Sequence, residues 1–177
     1  MIFKLSYYSF YIKLYEQNNL KGHNMKVTVM GIDYNNLLSG KALVEMGNEV
    51  TYLSNDHKRI ENIKRGYYNA DEAMVIKSMN PHDSFKFSAD IKESLNKSNM
   101  CFIAESVSED ADEQREQVLK RAQIIGKNMS HHMFIVDRAQ ESMSRIAQIK
   151  ETIQEELSKR DTTVTFEVIA NPNFLRA

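Results

Sequence analysis

The chain has 177 residues, 42% hydrophobic and 27% charged, the proportions of one soluble globular domain. Its 23 Lys and Arg balance 24 Asp and Glu to a net charge of −1, which excludes the basic stripe that a nucleic-acid backbone requires. No apolar run reaches the roughly 18 residues of a membrane span, and a single cysteine excludes an internal disulfide and suits a reducing, cytoplasmic setting.

Residues 1–24, MIFKLSYYSFYIKLYEQNNLKGHN, are Tyr-rich and broken by Lys4, Lys13 and Lys21. They lack the apolar stretch and small-residue cleavage site of a signal peptide. They read as an irregular extension, or as a start assigned upstream of a second start residue, Met25, where a domain over 25–177 begins.

From Met25 strands and helices alternate. KVTVM has the apolar density of a buried strand and ends at Gly31. NLLSGKALVEMG follows as a helix, with Leu38, Ala42, Leu43 and Met46 expected on its core face and Gly47 as its stop. EVTYL is a second strand; DHKRIENIKRG is a helix capped by Asp56 and ended by Gly66. ADEAMVIKSM makes a short helix before Pro81, FKFSA a short strand, and DIKESLNKS a helix entered at Asp90. MCFIA is another strand, and DEQREQVLKRAQIIGKNM a long helix with an acidic first turn that complements the macrodipole. HMFIVD is a strand. SMSRIAQIKETIQEELSKR is a helix with Met143, Ile146, Ile149, Ile153 and Leu157 at core spacing and Glu155–Lys159 and Glu156–Arg160 pairs on its exposed side. VTFEVIA closes the series.

Parallel neighbours need crossovers, and here every crossover is supplied. The expectation is an α/β fold, a doubly wound, mostly parallel six-stranded sheet of Rossmann type with helices on both faces and strand order 3-2-1-4-5-6.

The words MKVTVMGIDYNNLLSGKALVEMGNEVTYL, KFSADIKESLNKSNMCFIA, FIVDRAQESMSRIAQIKETIQEELSKR and ANPNFLRA occur in that order across the domain. Together they resemble the N-terminal domain of the UDP-glucose/GDP-mannose dehydrogenase family, with its G-T-G-Y-V-G turn, A-E-M-G-H-E-V helix end, V-V-x-K-S-T-V-P-V-G-T segment and S-N-P-E-F-L-R-E-G. The resemblance implies NAD as cofactor and oxidation of a nucleotide sugar at C6 to a carboxylate. It also implies that the family's catalytic lysine, asparagine and cysteine, its central dimer-forming helix and its UDP-binding domain lie beyond Ala177.

In such a turn one glycine permits the bend, a second lets backbone N–H groups reach the pyrophosphate, and a third lets the helix pack close. The cofactor turn implied here is Gly31, Ile32, Asp33, Tyr34, Asn35 and Asn36, in which only Gly31 is kept. Asp33 brings bulk and negative charge to a helix N-terminus that should hold two phosphates, and Asn36 adds bulk where the helix should pack close.

The acid that holds the adenosine ribose is replaced by Ser54, with Asp56 two positions on as a helix cap. Loss of that acid beside His57, Lys58 and Arg59 suits a 2′-phosphate, hence NADP; the plainer alternative is that these are solvated helix residues. Val107 replaces a threonine that touches the cofactor in the family. The family's catalytic positions carry Gln140 for a threonine, and Asn173 and Ala177 for two glutamates, so no catalytic residue is assigned.

Cys101 reads as a structural thiol within a strand. His131 and His132 point to opposite faces and cannot hold one metal together, and Ser142 and Ser144 lack a histidine–carboxylate partner. The expected protein is a truncated dehydrogenase domain with weak or lost NAD affinity and no catalysis alone. The alternative is a non-catalytic module that binds a protein partner such as a full-length relative.

Overall fold

The computed structural model describes residues 25–79, 84–103, 110–137 and 143–170. Its strands are β1 (Lys26–Met30), β2 (Glu49–Leu53), β3 (Phe85–Ser88), β4 (Met100–Ile103), β5 (Met133–Asp137) and β6 (Phe166–Ala170). Between them run α1 (Tyr34–Glu45), α2 (His57–Lys64), α3 (Ala70–Ser78), α4 (Ile91–Asn96), α5 (Ala111–Asn128) and α6 (Met143–Lys159). All pairs are parallel, as the crossovers require, and the order is the expected β3-β2-β1-β4-β5-β6.

Because successive strand residues face opposite ways, the sheet builds two cores. Val27, Val29, Val50, Tyr52, Phe102 and Val136 pack beneath α1, α2 and α3. Met30, Leu53, Cys101, Ile103 and Ile135 pack beneath α4, α5 and α6. The polar Thr28 in this second layer is satisfied: its Oγ1 donates to the Ser94 carbonyl at 3.1 Å or shares a proton with Ser98 Oγ at 2.7 Å.

The core face of α1 differs from the expected one. Leu37, Gly40, Leu43 and Val44 are buried, whereas Leu38 is 41% exposed. The aromatic ring of Tyr52 decides this phase. A Cβ on Gly40 would overlap that ring, and the Tyr52 hydroxyl donates to the Leu37 carbonyl at 2.9 Å. The helix therefore turns its narrowest side to the sheet.

A second correction concerns α6. Ile149, Ile153 and Leu157 are fully buried, but Met143 is 82% exposed, and the contribution of α6 to the core starts at Ile149 rather than in its first turn. Glu156 is buried rather than on the exposed side. It accepts from Lys159 Nζ at 2.8 Å and Gln123 Nε2 at 3.1 Å. Arg160 instead donates to the Gly126 and Met129 carbonyls at 2.7 and 2.9 Å, satisfying the C-terminal end of α5.

Candidate functional site

At the C-terminal end of the sheet, β1 leads into α1 through Gly31. Its φ of 131° lies in the region glycine tolerates, and its N–H donates to the Leu53 carbonyl at 2.8 Å. This ties the turn to the end of β2. Beside it opens a crevice of about 230 Å³. Met30, Leu53, Ile91 and Ile124 form its apolar walls; Ser54, Asn55, Gln117, Lys120 and Arg121 supply its polar groups. That volume falls just below the roughly 300–1,000 Å³ of a drug-sized ligand site, room for a nucleoside portion rather than a whole dinucleotide.

The turn residues have their own partners. Asp33 is the N-cap of α1, and its Oδ1 accepts the Asn36 backbone N–H at 3.1 Å. Asn36, only 1% exposed, donates its side-chain amide to Asp33 Oδ2. A helix N-terminus attracts an anion through its unpaired N–H groups and dipole. In this chain an internal carboxylate occupies that position. Ile32 is buried, and Tyr34 and Asn35 are exposed. Asn36 does not hold α1 away from the sheet, since Leu37 and Gly40 still lie on Tyr52.

Ser54 stands where β2 ends; its N–H donates to the Ser88 carbonyl at 3.1 Å and its Oγ accepts the Asp56 N–H at 3.2 Å. Asp56 caps α2, accepting the Arg59 N–H at 2.9 Å. The Arg59 guanidinium turns away from the crevice to an ion pair with the buried Glu72. Arg59 is therefore neither a solvated helix residue nor part of the crevice wall. Glu72 also accepts the Asn69 N–H at 3.1 Å in the capping box of α3, which fixes the direction Arg59 must take.

The cations that do line the crevice, Lys120 and Arg121, come from α5 and were missed in the sequence. A signal for Arg121 was available: it falls beside the buried Val118, Ala122 and Ile125, where a long cation must reach along the sheet end to leave the core. Burial lowers its pKa below the ordinary arginine value; Asp33 opposes that shift and Arg145 adds to it. Arg145 binds the buried Asp137 through Nε and Nη2 at 2.6 and 2.9 Å. Four charged side chains thus share this end of the sheet, with the cations Arg121 and Arg145 side by side between the carboxylates of Asp33 and Asp137.

The other candidates separate. His131 Nε2 meets the Ser98 carbonyl at 2.8 Å, whereas His132 Nδ1 meets Thr165 Oγ1 at 2.8 Å toward the opposite edge. Cys101 is completely buried, and burial pushes its thiol pKa upward. No helix among the described residues is long and apolar enough to cross a membrane. Val107, Gln140, Ser142, Asn173 and Ala177 lie outside the described residues.

A model of the UDP-glucose/GDP-mannose dehydrogenase family, NAD binding domain, matches residues 25–177. The chain belongs to this family. UDP-glucose 6-dehydrogenase of Pseudomonas aeruginosa is 24% identical over 157 residues, covering 86% of this chain and 35% of the relative. UDP-glucose 6-dehydrogenase TuaD of Bacillus subtilis is 25% identical over 156 residues, covering 85% and 33%. The fold is similar to a UDP-glucose dehydrogenase from Pyrobaculum islandicum, with a TM-score of 0.65, 16% identity and coverage of 84% and 35%. GDP-mannose dehydrogenase from Pseudomonas aeruginosa gives a TM-score of 0.64 at 17% identity, covering 82% and 35%.

The chain thus spans about a third of the family members it matches. Against the family's dinucleotide, the apolar walls, Ser54 and Gln117 fit a nucleoside, while the Asp33 carboxylate on the N-terminus of α1 does not fit a pyrophosphate.

Proposed function

We propose that this chain is a nucleotide-sugar dehydrogenase domain with an attenuated dinucleotide site, one that holds the adenosine end of a cofactor and performs no oxidation alone. The observation that carries this reading is the Asp33 carboxylate on the Asn36 N–H. It takes up a donor that a pyrophosphate would use and sets a negative charge against the phosphates. Gln140, Asn173 and Ala177 supply no general base near neutral pH at the positions the family resemblance marks. The domain is taken as 25–177, with residues 1–24 as an extension, in a reducing cytoplasmic setting.

Calorimetric titration tests this. Adenosine should bind with an affinity close to that of NAD, because the pyrophosphate adds little. NAD binding at least a hundredfold tighter than adenosine would overturn the reading.

A second reading, a non-catalytic interaction module whose partner is a full-length relative, draws support from Tyr34 and Leu38. They lie one turn apart on α1 and are 39% and 41% exposed. Absence of binding to every adenine ligand by a folded protein would favour it.

A further inference from the structure

The crevice at the ends of β1 and β2 holds cations in an unexpected place. Where the strand β2 would offer a carboxylate to ribose hydroxyls, Ser54 offers a hydroxyl. The basic residues nearest in sequence do not reach it: Arg59 is engaged by Glu72, and His57 and Lys58 are exposed on α2. Across the crevice, the consecutive residues Lys120 and Arg121 of α5 both line the same wall space as Ser54 and Asn55. No carboxylate lines it among the described residues.

We propose that this crevice selects adenosine phosphorylated on its ribose, with Arg121 and Lys120 holding the phosphate and Ser54 and Asn55 completing its hydrogen bonds. This rests on the nucleoside-binding reading above and names the ligand class for that site: a 2′- or 3′-phosphorylated adenine nucleotide in preference to NAD.

The physical argument has three parts. An acid at the end of β2 accepts from both ribose hydroxyls and repels a phosphate there; a serine does neither. A guanidinium presents paired donors that match phosphate oxygens, and Arg121 is half-buried, so its charge is screened less than that of a surface lysine. Lys120 pairs with Glu116 at 2.7 Å, but both side chains are about two-thirds exposed, at 66% and 64%, so Lys120 can leave for a ligand phosphate at little cost. The pyrophosphate end gains nothing comparable, because Asp33 occupies the N-terminus of α1. Affinity therefore shifts toward the ribose.

The test titrates the full chain with adenosine, 5′-AMP, 2′-AMP, 3′-AMP, NAD and NADP by calorimetry. The expected result is that 2′-AMP or 3′-AMP binds about tenfold tighter than adenosine and 5′-AMP, and that this advantage shrinks as salt is raised. The two isomers identify which hydroxyl carries the phosphate, and the ratio of NADP to NAD should follow 2′-AMP. In Arg121→Gln the ratio of 2′-AMP or 3′-AMP affinity to adenosine affinity should collapse toward one, whereas Arg121→Lys should keep part of it. Circular dichroism checks that both variants are folded.

Saturable adenosine binding with no gain from a ribose phosphate, or a gain untouched by Arg121→Gln, overturns the proposal and leaves the nucleoside site standing. Should no ligand bind the folded wild type, the nucleoside site itself is wrong and the proposal falls with it.

Discussion

The Asp33 carboxylate and the Asn36 residue bind each other twice, once through the Asn36 backbone N–H at 3.1 Å and once through its side-chain amide. The resemblance to the family turn sets its second and third glycines at these positions. Relative to that turn, substitution has done more than add bulk. It has installed an internal anion that satisfies the helix end without a ligand.

Replacing Asp33 separates its two effects. Asp33→Asn keeps a side-chain oxygen for the Asn36 N–H and removes the charge. It should leave the Tm nearly unchanged and improve NAD affinity about fivefold, the ~1 kcal/mol of one unit charge in a watery medium. Asp33→Gly also frees the N–H and opens the backbone, so its gain should be larger, at a cost of a few tenths of a kcal/mol in stability. Calorimetric titration of each variant measures both gains; equal, unimproved affinities would mean that the loss lies elsewhere.

Close packing has moved along α1. With Asn36 in the turn, Gly40 is the residue that admits the Tyr52 ring, and Gly126 does the same between α5 and α6, where a Cβ would meet Glu156 Cβ at 2.8 Å and the Ile153 carbonyl at 2.9 Å. Gly40→Ala and Gly126→Ala should each lower unfolding free energy by about 1–3 kcal/mol, although alanine is the better helix former. Urea titration would show it as a reduced midpoint.

The Arg145–Asp137 pair is nearly enclosed, with side chains 20% and 4% exposed. Arg145→Ala leaves a buried carboxylate without its bidentate partner and should cost about 3 kcal/mol. Adding Asp137→Asn should recover part of that loss, because the buried charge is then gone. A double-mutant cycle by urea unfolding measures the recovery.

Glu156 should set part of the acid limb of stability. The Lys159 hydrogen bond first, and the Gln123 hydrogen bond with it, hold its carboxyl below the ordinary value of 4.5 in the folded protein. A depressed folded-state pKa contributes stability above the unfolded value, and that contribution is lost as pH falls through the folded one. Glu156→Gln should therefore flatten the decline in unfolding free energy below about pH 4.5, relative to wild type. An unchanged acid limb in the variant would assign that decline to other carboxylates.

Much of the scaffold was legible because local signals agreed with the global solution. Asp56 and Asp90 read as helix caps and are so, each accepting the N–H three residues on. The alternation of strand and helix led directly to a parallel sheet. What escaped depends on contacts distant in sequence. Helical periodicity gives a face only to within a residue, and the choice of Leu37 over Leu38 came from Tyr52, on another element. Glu156 looked like a solvated pair because nothing local announces Gln123 across the helix interface. Arg59 leaves its expected place beside Ser54, and Arg121, given no role by the sequence, enters the crevice, for the same reason: Glu72 captures the first, and the path of α5 brings the second.

The solitary thiol supplies a clock for the whole sheet. Cys101 lies between Thr28 of β1 and Ile135 of β5, fully enclosed, with its ionisation suppressed by burial. A thiol reagent acts on the thiolate, so labelling waits until the central strands part. Mass spectrometry of an unlabelled population shifting by one adduct would time that parting, with no second cysteine to confuse the count. A nucleotide seated in the crevice would slow the clock without touching the sulfur, turning a residue that plays no part in binding into its witness.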